Sequence, residues 1–249
     1  MHALIDGDIF AYEFGSCKDE DGQPLSWPLV QARVDSRIEG IIEATGAKTY
    51  QIYLTSEDKS NFRYEIASIR PYKGRRATEK PHWYQGIREF LVAHRGAQEV
   101  SGIEADDAIS IEGWKDWGYK SVHSIVICSR DKDLDMIPGW HYSWGAGKQK
   151  EKELWWQDEL SGIKCFYNQL LTGDGVDNIP GLYGVGKSST FLDRINDCSS
   201  ELAMHAIVLS EYVKRFGSYA EQFLLENARL LWLLQYEGQE WVPPTEREG

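Results

Sequence analysis

Two carboxylates stand one residue apart in the middle of the chain, directly after an apolar run. Asp131 and Asp133 follow residues 125–127, whose β-branched side chains predict a buried strand. Ligands and catalytic groups gather at the strand ends of open α/β sheets. In extended backbone the two side chains would point to the same side. Two such anions repel by a few kcal/mol (~4 at an effective dielectric of about 20), so the pair needs a proton, a basic partner or a metal ion.

Alone, this pair would be interpreted as a solvated polar loop. Further acidic residues follow other apolar runs, and together they indicate a metal-binding site. Asp6 follows a short apolar run at 3–5, and Asp58 lies just beyond another at 49–54. The candidate ligands come from well-separated parts of the chain: Asp6, Asp58, Glu104, Asp106, Asp107, Asp131, Asp133, Asp174 and Asp177. Hard carboxylates without HxxxH, HExxH or thiolate partners favour Mg²⁺ or Mn²⁺ over zinc. Two such ions ~4 Å apart can activate a water and stabilise the leaving oxygen of a phosphodiester.

Some of these acids also have structural explanations. Asp8 could cap the helix after the first strand, and we expect capping there rather than metal ligation. Glu104, Asp106 and Asp107 begin a predicted helix, where the helix dipole favours acids. Three acids within four positions exceed what capping needs. In an ideal helix Glu104 and Asp107 share a face, whereas Asp106 joins them only if the first turn is irregular.

A basic segment lies between the second and third acidic positions. Its cations are Arg63, Arg70, Lys73, Arg75, Arg76 and Lys80, and Tyr64 and Tyr72 are interleaved with them. Cations with aromatic side chains suit a phosphate backbone and a stacked base; a solvated charged loop is the alternative. The net charge of −12 argues at first against nucleic acid, but metal ions would neutralise much of the acid.

The pattern of elements changes near residue 158. Before it, short apolar runs alternate with helical stripes, which predicts an α/β domain with a mainly parallel sheet over 1–158. After it, helical periodicity dominates, so we predict an all-helical region over 159–249. The predicted elements include strands at 3–5, 49–54 and 125–127, and helices at 30–45, 83–91, 200–216 and 218–237, followed by a frayed tail from Trp241.

Residues 181–188 match the letters GxxxxGKS of a nucleotide-binding loop. Such a loop needs an apolar strand before it, yet residues 173–180 are polar and contain glycine. We therefore favour two helices joined by a glycine-rich loop whose amides bind a phosphate, and we expect no nucleotide cofactor.

Other features exclude several classes. The four cysteines are widely spaced without a CxxC pair, which favours reduced thiols in a cytoplasm. The first ten residues lack a basic region followed by an apolar core, so we expect no signal peptide. No apolar run approaches ~18 residues, which predicts no membrane span. We expect a monomer.

Six motifs follow one another in an order that resembles the flap endonuclease/5′-nuclease family. They are IDG at 5–7, Asp58 with FR at 62–63, PYKGRR at 71–76, EADD at 104–107, SRDKD at 129–133, and the run from GD at 173–174 to Gly186. The resemblance covers nearly the whole chain. The ending at 226–231 and the short span from 72 to 104 are most similar to the 5′→3′ exonucleases of short-tailed bacteriophages.

This resemblance implies a PIN-like α/β nuclease domain followed by a helix–three-turn–helix that holds duplex DNA. By motif, Asp6, Asp58, Glu104, Asp106, Asp131 and Asp133 would carry two metal ions, with Asp107 and Asp174 as ligands or water-mediated neighbours and Asp177 more distant. Lys73 would contact the scissile phosphate and Arg76 the same region, Arg75 would contact DNA, and Tyr72 would stack on the terminal base. The loop with Gly184, Gly186, Lys187 and Ser188 would bind a duplex phosphate, with K⁺ on its carbonyls.

Two departures from the family pattern bear on function. Relatives commonly carry a lysine two residues after the second glycine of the loop; here Ser188 holds that place and Lys187 comes one earlier. The span from Lys73 to Glu104 is short for an arch that threads a flap, which favours exonucleolytic trimming.

The leading hypothesis is a divalent-metal-dependent 5′→3′ exonuclease on duplex DNA with a 5′ end, nick or flap, acting in phage DNA replication, with RNA primers as further candidate substrates. The alternatives are a non-catalytic duplex-binding protein and a PIN-type ribonuclease.

Overall fold

A six-stranded sheet forms the centre of the first 157 residues. The computed structural model describes residues 1–74, 79–119, 123–186 and 188–247. The strands are β1 (His2–Asp6), β2 (Thr49–Thr55), β3 (Gln98–Val100), β4 (Ile125–Cys128), β5 (Gly139–Ser143) and β6 (Lys152–Gln157). Their spatial order is β3-β2-β1-β4-β5-β6, and every neighbouring pair is parallel except β5 with β6. The prediction of a mainly parallel α/β sheet is confirmed.

Helices flank this sheet and then form most of the C-terminal region. They are α1 (Asp8–Gly15), α2 (Trp27–Thr45), α3 (Arg63–Ile66), α4 (Tyr84–Arg95), α5 (Ala105–Gly118), α6 (Glu159–Thr172), α7 (Thr190–Asn196), α8 (Glu201–Phe216) and α9 (Ala220–Leu231), with 3₁₀ turns at Lys132–Met136 and Gly217–Tyr219. A two-residue antiparallel pair, β7 (Gly173–Asp174) with β8 (Ile179–Pro180), interrupts the helical region. Among the described helices, none combines the length and the apolarity that crossing a membrane requires.

The two central strands are apolar because both faces of the sheet are covered. Leu4 and Ile5 of β1 and Val126 of β4 are at most 1% exposed. β1 pairs with both β2 and β4, and Ile5 stands opposite Cys128. The carboxyl ends of β1 and β4 therefore lie side by side, which brings the first and the central acidic motifs to one edge of the sheet.

The C-terminal region shares a hydrophobic core with the sheet. One cluster of buried side chains joins Leu4 and Ile127 to Phe166, Leu224 and Leu231. The boundary predicted at residue 158 falls between β6 and α6, where the side chain of Asp158 caps α6 by accepting from the amide of Ser161. The division into two domains stays a prediction.

The last helix, α9, ends earlier than the apolar periodicity predicts. A helix over 218–237 was expected, but α9 ends at Leu231 and Trp232 is extended (φ −68°, ψ 130°). The guanidinium group of Arg63 donates to the carbonyls of Leu230 and Trp232, so these groups find their partners in tertiary structure. The prediction of a frayed tail from Trp241 is also wrong at that residue, because its indole is 2% exposed.

Candidate active site

A cavity of about 500 Å³ opens at the carboxyl ends of the central strands. Nine of the described carboxylates line it: Asp6, Asp8, Glu13, Glu104, Asp106, Asp131, Asp133, Asp174 and Asp177. Lys73, Arg130 and Lys132 lie among them. A larger cavity of about 660 Å³ lies beside α2, with arginines and glutamates over aromatic side chains. We regard the smaller cavity as the candidate site, because it concentrates charge of one sign at strand ends.

A serine hydroxyl connects the ends of β1 and β4. Ser129 donates to Asp6 Oδ2 (2.9 Å) and accepts from the amide of Asp131 (2.9 Å). Asp131 in turn accepts from the amide of Asp133 (2.9 Å) and caps the 3₁₀ turn that follows. The backbone is extended at Asp131 but enters the 3₁₀ turn at Lys132, so the alternation of side chains in extended backbone does not apply to this pair. Both carboxylates nevertheless line the cavity.

The side chains of Glu104, Asp106 and Asp107 at the start of α5 point in directions that differ from the prediction. Glu104 is not helical but extended (φ −95°, ψ 163°) and stands at the N-cap. Its side chain faces the cavity together with Asp106. Asp107 accepts from the amide of Glu104 (3.0 Å) in a capping box. The expectation that Glu104 and Asp107 share a face is wrong, because Glu104 lies outside the helix.

Burial and mutual repulsion raise the pKa of several carboxyl groups in the cavity. The pKa of Asp6 rises to about 8 through burial and then through the charges of Asp8 and Asp131. Burial and the charge of Asp131 raise the pKa of Asp133 to about 7. The pKa of Asp106 is raised well above its ordinary value by burial and by Asp6 and Asp131. Buried carboxylates of like charge are stabilised by a proton or a cation.

Two lysines supply positive charge inside the cavity. The Lys73 ammonium forms an ion pair with Glu104. Burial alone would raise the pKa of Glu104, but the charges of Lys73 and Arg63 outweigh it and lower that pKa. Lys132 lies 3.2 Å from Asp133 and 3.8 Å from Asp174. The lysines thus balance part of the negative charge.

The donor set fits a hard divalent cation. All the acidic lining groups offer oxygen, and no histidine or cysteine lines the cavity among the described residues. Within that part of the chain, no three of these side chains are arranged to hold one ion as they stand. Lysine ammonium groups lie against Glu104, Asp133 and Asp174 instead. Small side-chain movements would have to accompany cation binding.

The structure does not place Asp58 in the cavity. Its exposed carboxylate accepts from the Ser60 amide (2.8 Å), the Ser60 hydroxyl (2.6 Å) and the Ser101 hydroxyl (2.6 Å). These bonds, with Ser101 first, lower the pKa of Asp58 below its ordinary range. Thr55, at the end of β2, lines the cavity in this part of the sheet. We correct the predicted ligand set by removing Asp58.

Asp107 is separated from the cavity by its own partner. It is fully buried and forms two hydrogen bonds with the Arg63 guanidinium (2.5 and 2.8 Å). The amide of Leu234 also donates to it (3.3 Å). A buried carboxylate that is already paired with Arg63 is poorly suited to bind a metal ion. We therefore also remove Asp107 from the predicted ligands.

Tyr72 faces the acids rather than solvent. Its side chain is 4% exposed, and its hydroxyl lies 3.0 Å from Glu104 and 2.9 Å from Asp177. Burial and the charge of Glu104 raise its pKa well above the ordinary value. A buried ring cannot stack on a DNA base, so the predicted role of Tyr72 is corrected to a polar link between two carboxylates.

Lys73 is the predicted basic residue that the structure brings into the cavity. It has a left-handed backbone (φ 55°), and its amide donates to the carbonyl of Asp177 (2.9 Å). The predicted residues Arg75, Arg76 and Lys187 lie outside the described residues. Their roles stay predictions.

The glycine-rich loop lies between β8 and α7. Gly184, Gly186 and Ser188 are exposed there, and Gly184 has a positive φ of 78°, which glycine adopts without steric cost. These residues do not line the cavity. Their proposed contact with a duplex phosphate, and the K⁺ on their carbonyls, stay predictions.

Several lining residues were missed by sequence reasoning. Asp8 does not cap α1, because Gly7 occupies the N-cap position without a side-chain bond. Instead, Asp8 accepts from the amide of Thr55 (3.2 Å) and pairs with Arg88 (2.8 Å). Arg88 follows Ile87 on the buried stripe of α4. Because charged side chains are rarely buried without a partner, Arg88 on the apolar stripe of α4 could have predicted a buried acidic residue such as Asp8.

Arg130 and Glu13 were also missed. Arg130 lies 3.3 Å from Glu13 Oε2 and 2.9 Å from the side-chain oxygen of Gln149. Glu13 also pairs with Arg37 (2.8 Å) and accepts from the Trp144 indole (2.9 Å). These contacts hold α1 against the segment after β5. Their long sequence separation left no local pattern to detect.

No protein-family model matches the chain, and no curated protein matches it by sequence. Solved structures do match it. The T5 D15 protein co-crystallised with metal ions has a TM-score of 0.61 at 17% identity, over 92% of this chain and 88% of that one. A mutant of the T5 5′-exonuclease gives 0.56 at 15% identity, over 92% and 86%. The bacteriophage T5 D15 flap endonuclease, in a pseudo-enzyme–product complex with DNA and metal ions, gives 0.52 at 14%, over 92% and 98%. The fold implied by the resemblance to 5′ nucleases is confirmed.

Proposed function

We propose that this protein, which shares the fold of the T5 5′-exonuclease, is a divalent-metal-dependent 5′ nuclease acting on duplex DNA. The observation that supports it is the cavity at the ends of β1 and β4, where carboxylates from four separate segments of the chain meet Lys73. A binding protein without catalysis would gain nothing from so many anions, since they repel a phosphate backbone.

The residues proposed to hold two Mg²⁺ or Mn²⁺ ions are those that line the cavity: Asp6, Glu104, Asp106, Asp131 and Asp133, with Asp174 and Asp177 as more distant or water-mediated partners. When bound, such ions activate a water and stabilise the leaving oxygen of an in-line displacement. The chain itself fixes the oxygens. Ser129 orients Asp6 and Asp131, and the N-cap geometry of α5 orients Glu104.

Lys73 is the proposed phosphate-contacting group of the described residues. Its ammonium lies against Glu104. With Glu104 holding a metal ion, Lys73 would be free to donate to a non-bridging phosphate oxygen and so to stabilise charge that develops there. Arg75 and Arg76 follow it in sequence, and we propose the same electrostatic role for them.

The glycine-rich loop is the proposed contact to the duplex. Gly184, Gly186 and Ser188 are exposed, so their backbone groups are open to a phosphate, with Lys187 and a K⁺ ion as further parts of that contact. The short span before Glu104 favours trimming from a 5′ end or nick over flap threading. We further propose a role in phage DNA replication, in the cytoplasm, as a monomer.

A 5′-labelled duplex assay tests the proposal. With Mg²⁺, the label should be released as short 5′-phosphorylated products, and the Asp131→Asn and Asp133→Asn variants should abolish release while retaining DNA binding. Activity in EDTA, or full activity in either variant, contradicts it. A matched RNA duplex distinguishes the ribonuclease alternative, and binding without cleavage would indicate a duplex-binding protein.

A further inference from the structure

One carboxylate of α9 reaches the segment that carries Lys73. Glu226 accepts three hydrogen bonds there, from the Ser68 amide (2.8 Å), the Ser68 hydroxyl (2.5 Å) and the Ile69 amide (2.7 Å). Residues 67–70 belong to no helix or strand, so these amides have no partner in local secondary structure. A charged acceptor bonded to two consecutive amides fixes both the position and the direction of the backbone.

The backbone between this contact and Lys73 is short and is constrained at several points. Between Ile69 and Lys73 stand three residues, one of which is Pro71 with its fixed φ. The side-chain amide of Asn178 donates to the carbonyl of Pro71 (2.9 Å). The amide of Lys73 donates to the carbonyl of Asp177 (2.9 Å). Glu226 and the loop at 177–178 therefore hold this short span at both ends.

The opposite end of the same segment is also attached to α9. Arg63 donates to the carbonyls of Leu230 (2.9 Å) and Trp232 (2.7 Å). Residues 63, 68 and 69 are thus all hydrogen-bonded to α9 or to the residue that follows it. The buried pair of Arg63 with Asp107 holds the start of the segment, whereas near Ser68, which is exposed, Glu226 supplies the fixation.

We propose that Glu226 is a positioning residue for Lys73, acting through the backbone of Ser68 and Ile69. The inference rests on the proposed function, because Lys73 is its phosphate-contacting group. The left-handed conformation of Lys73 (φ 55°) is uncommon for a residue with a side chain. Such a conformation persists when the surrounding contacts determine it; Asp177 and Asn178 hold the backbone next to Lys73, and Glu226 holds it upstream at Ser68 and Ile69.

The test compares Glu226→Ala with Glu226→Gln under single-turnover conditions on a 5′-labelled duplex. Glu226→Ala should lower the cleavage rate by about tenfold or more, because displacement of a catalytic group by about 1 Å can cost that much. DNA affinity in Ca²⁺ should stay within about twofold, since an interaction needed only in the transition state is affected. Glu226→Gln keeps an acceptor oxygen and should recover most of the rate. Glu221→Ala, which removes an exposed glutamate from the first turn of the same helix, is the matched control and should cleave like the parent.

A double-mutant cycle with Lys73→Ala separates positioning from general destabilisation. If Glu226 acts through Lys73, adding Glu226→Ala to Lys73→Ala should lower the residual rate by less than about twofold. A further tenfold loss there, or a Glu226→Ala enzyme within about twofold of the parent, overturns the inference.

Limited trypsin digestion gives a readout that does not depend on cleavage of DNA. Cutting after Lys73, which is followed by Gly74, should accelerate in Glu226→Ala and stay unchanged in Glu221→Ala, with sites outside residues 63–80 unaffected in both. Uniform acceleration at all sites would indicate global destabilisation and overturn the inference. An inactive parent protein with the local trypsin effect would refute the proposed function and leave the contact of Glu226 standing.

Discussion

Three carboxyl groups of the cavity, those of Asp6, Asp106 and Asp133, bind protons more tightly in the folded chain than in the unfolded one. A raised pKa means that the native state holds more protons over the range between the unfolded and the folded pKa. Stability from these groups is therefore lost as the pH rises from about 4 to about 8. Cation binding should restore it.

The first prediction is a pH-dependent melting temperature in EDTA. Between about pH 6.5 and about pH 9 the melting temperature should fall by at least about 3 °C, which corresponds to roughly 1 kcal/mol for a chain of this size. Mg²⁺ should remove most of the fall, and Asp6→Asn should reduce it. The buried His141, whose pKa is lowered to about 4, exchanges its proton below this window. A melting temperature that stays level or rises contradicts the pKa shifts.

The second prediction concerns the pair of Arg63 with Asp107. Arg63→Met leaves a buried carboxylate without its partner and should cost about 3–5 kcal/mol in urea unfolding. Replacing both residues, by Arg63→Met with Asp107→Leu, should cost clearly less, because no buried charge remains. Removing the exposed partner of Lys115 by Glu112→Ala should change stability by less than about 1 kcal/mol. Equal losses in the single and double variants would show that the pair does not act as a unit.

At the scale of elements, α6 lies directly on the 3₁₀ turn that carries Asp133. A Cβ atom at Gly162 would meet the carbonyl of Met136 at a distance that real side chains do not tolerate. The contact is with backbone, so neither element can yield by rotating a side chain. The close packing of α6 against the 3₁₀ turn therefore requires glycine at position 162.

The third prediction follows from this contact. Gly162→Ala should destabilise the protein by about 1–3 kcal/mol, as overpacking does, and should lower the nuclease rate by displacing Asp133. Gly40→Ala is the matched control, since Gly40 lies within α2 with open space around it, and it should stabilise by about 0.5–1 kcal/mol. Chemical denaturation and single-turnover cleavage measure both effects. A neutral Gly162→Ala would contradict the contact.

Elements whose signal is local were predictable from the sequence. The apolar runs that became β1 and β4 end where the acids begin, so the meeting of Asp6 with Asp131 followed from parallel pairing. The exclusion of Asp107 from the cavity was not predictable, because its partner Arg63 comes from another segment. The early end of α9 has the same cause, since Arg63 bonds the carbonyls of Leu230 and Trp232.

At the scale of the whole molecule, the core crosses the boundary that composition predicts at residue 158. Buried side chains of the sheet and of the C-terminal helices form one cluster. Two parts of the cavity, at Asp174 and Asp177, come from the C-terminal region. The C-terminal region therefore completes the cavity and covers one face of the sheet.

The fourth prediction is that residues 1–158 alone do not fold cooperatively. Removing the C-terminal region exposes the face around Leu4 and Ile127 and deprives Arg63 of its carbonyl partners. Circular dichroism of this fragment should show a broad, non-cooperative thermal change, whereas the full chain should unfold in a sharp transition. A sharp transition in the fragment would support an independent domain.

The position of Lys132 between Asp133 and Asp174 has a thermodynamic consequence. Were the proposed metal ion to bind Asp133 and Asp174, the ammonium group of Lys132 would lose these partners and would become available to a polyanion. Linkage requires the reverse as well: a polyanion that attracts the ammonium group vacates the same oxygens and strengthens cation affinity by an equal factor. The metal ion would thus raise the affinity for the polyanion, and the polyanion would raise the affinity for the metal ion, in either order of binding.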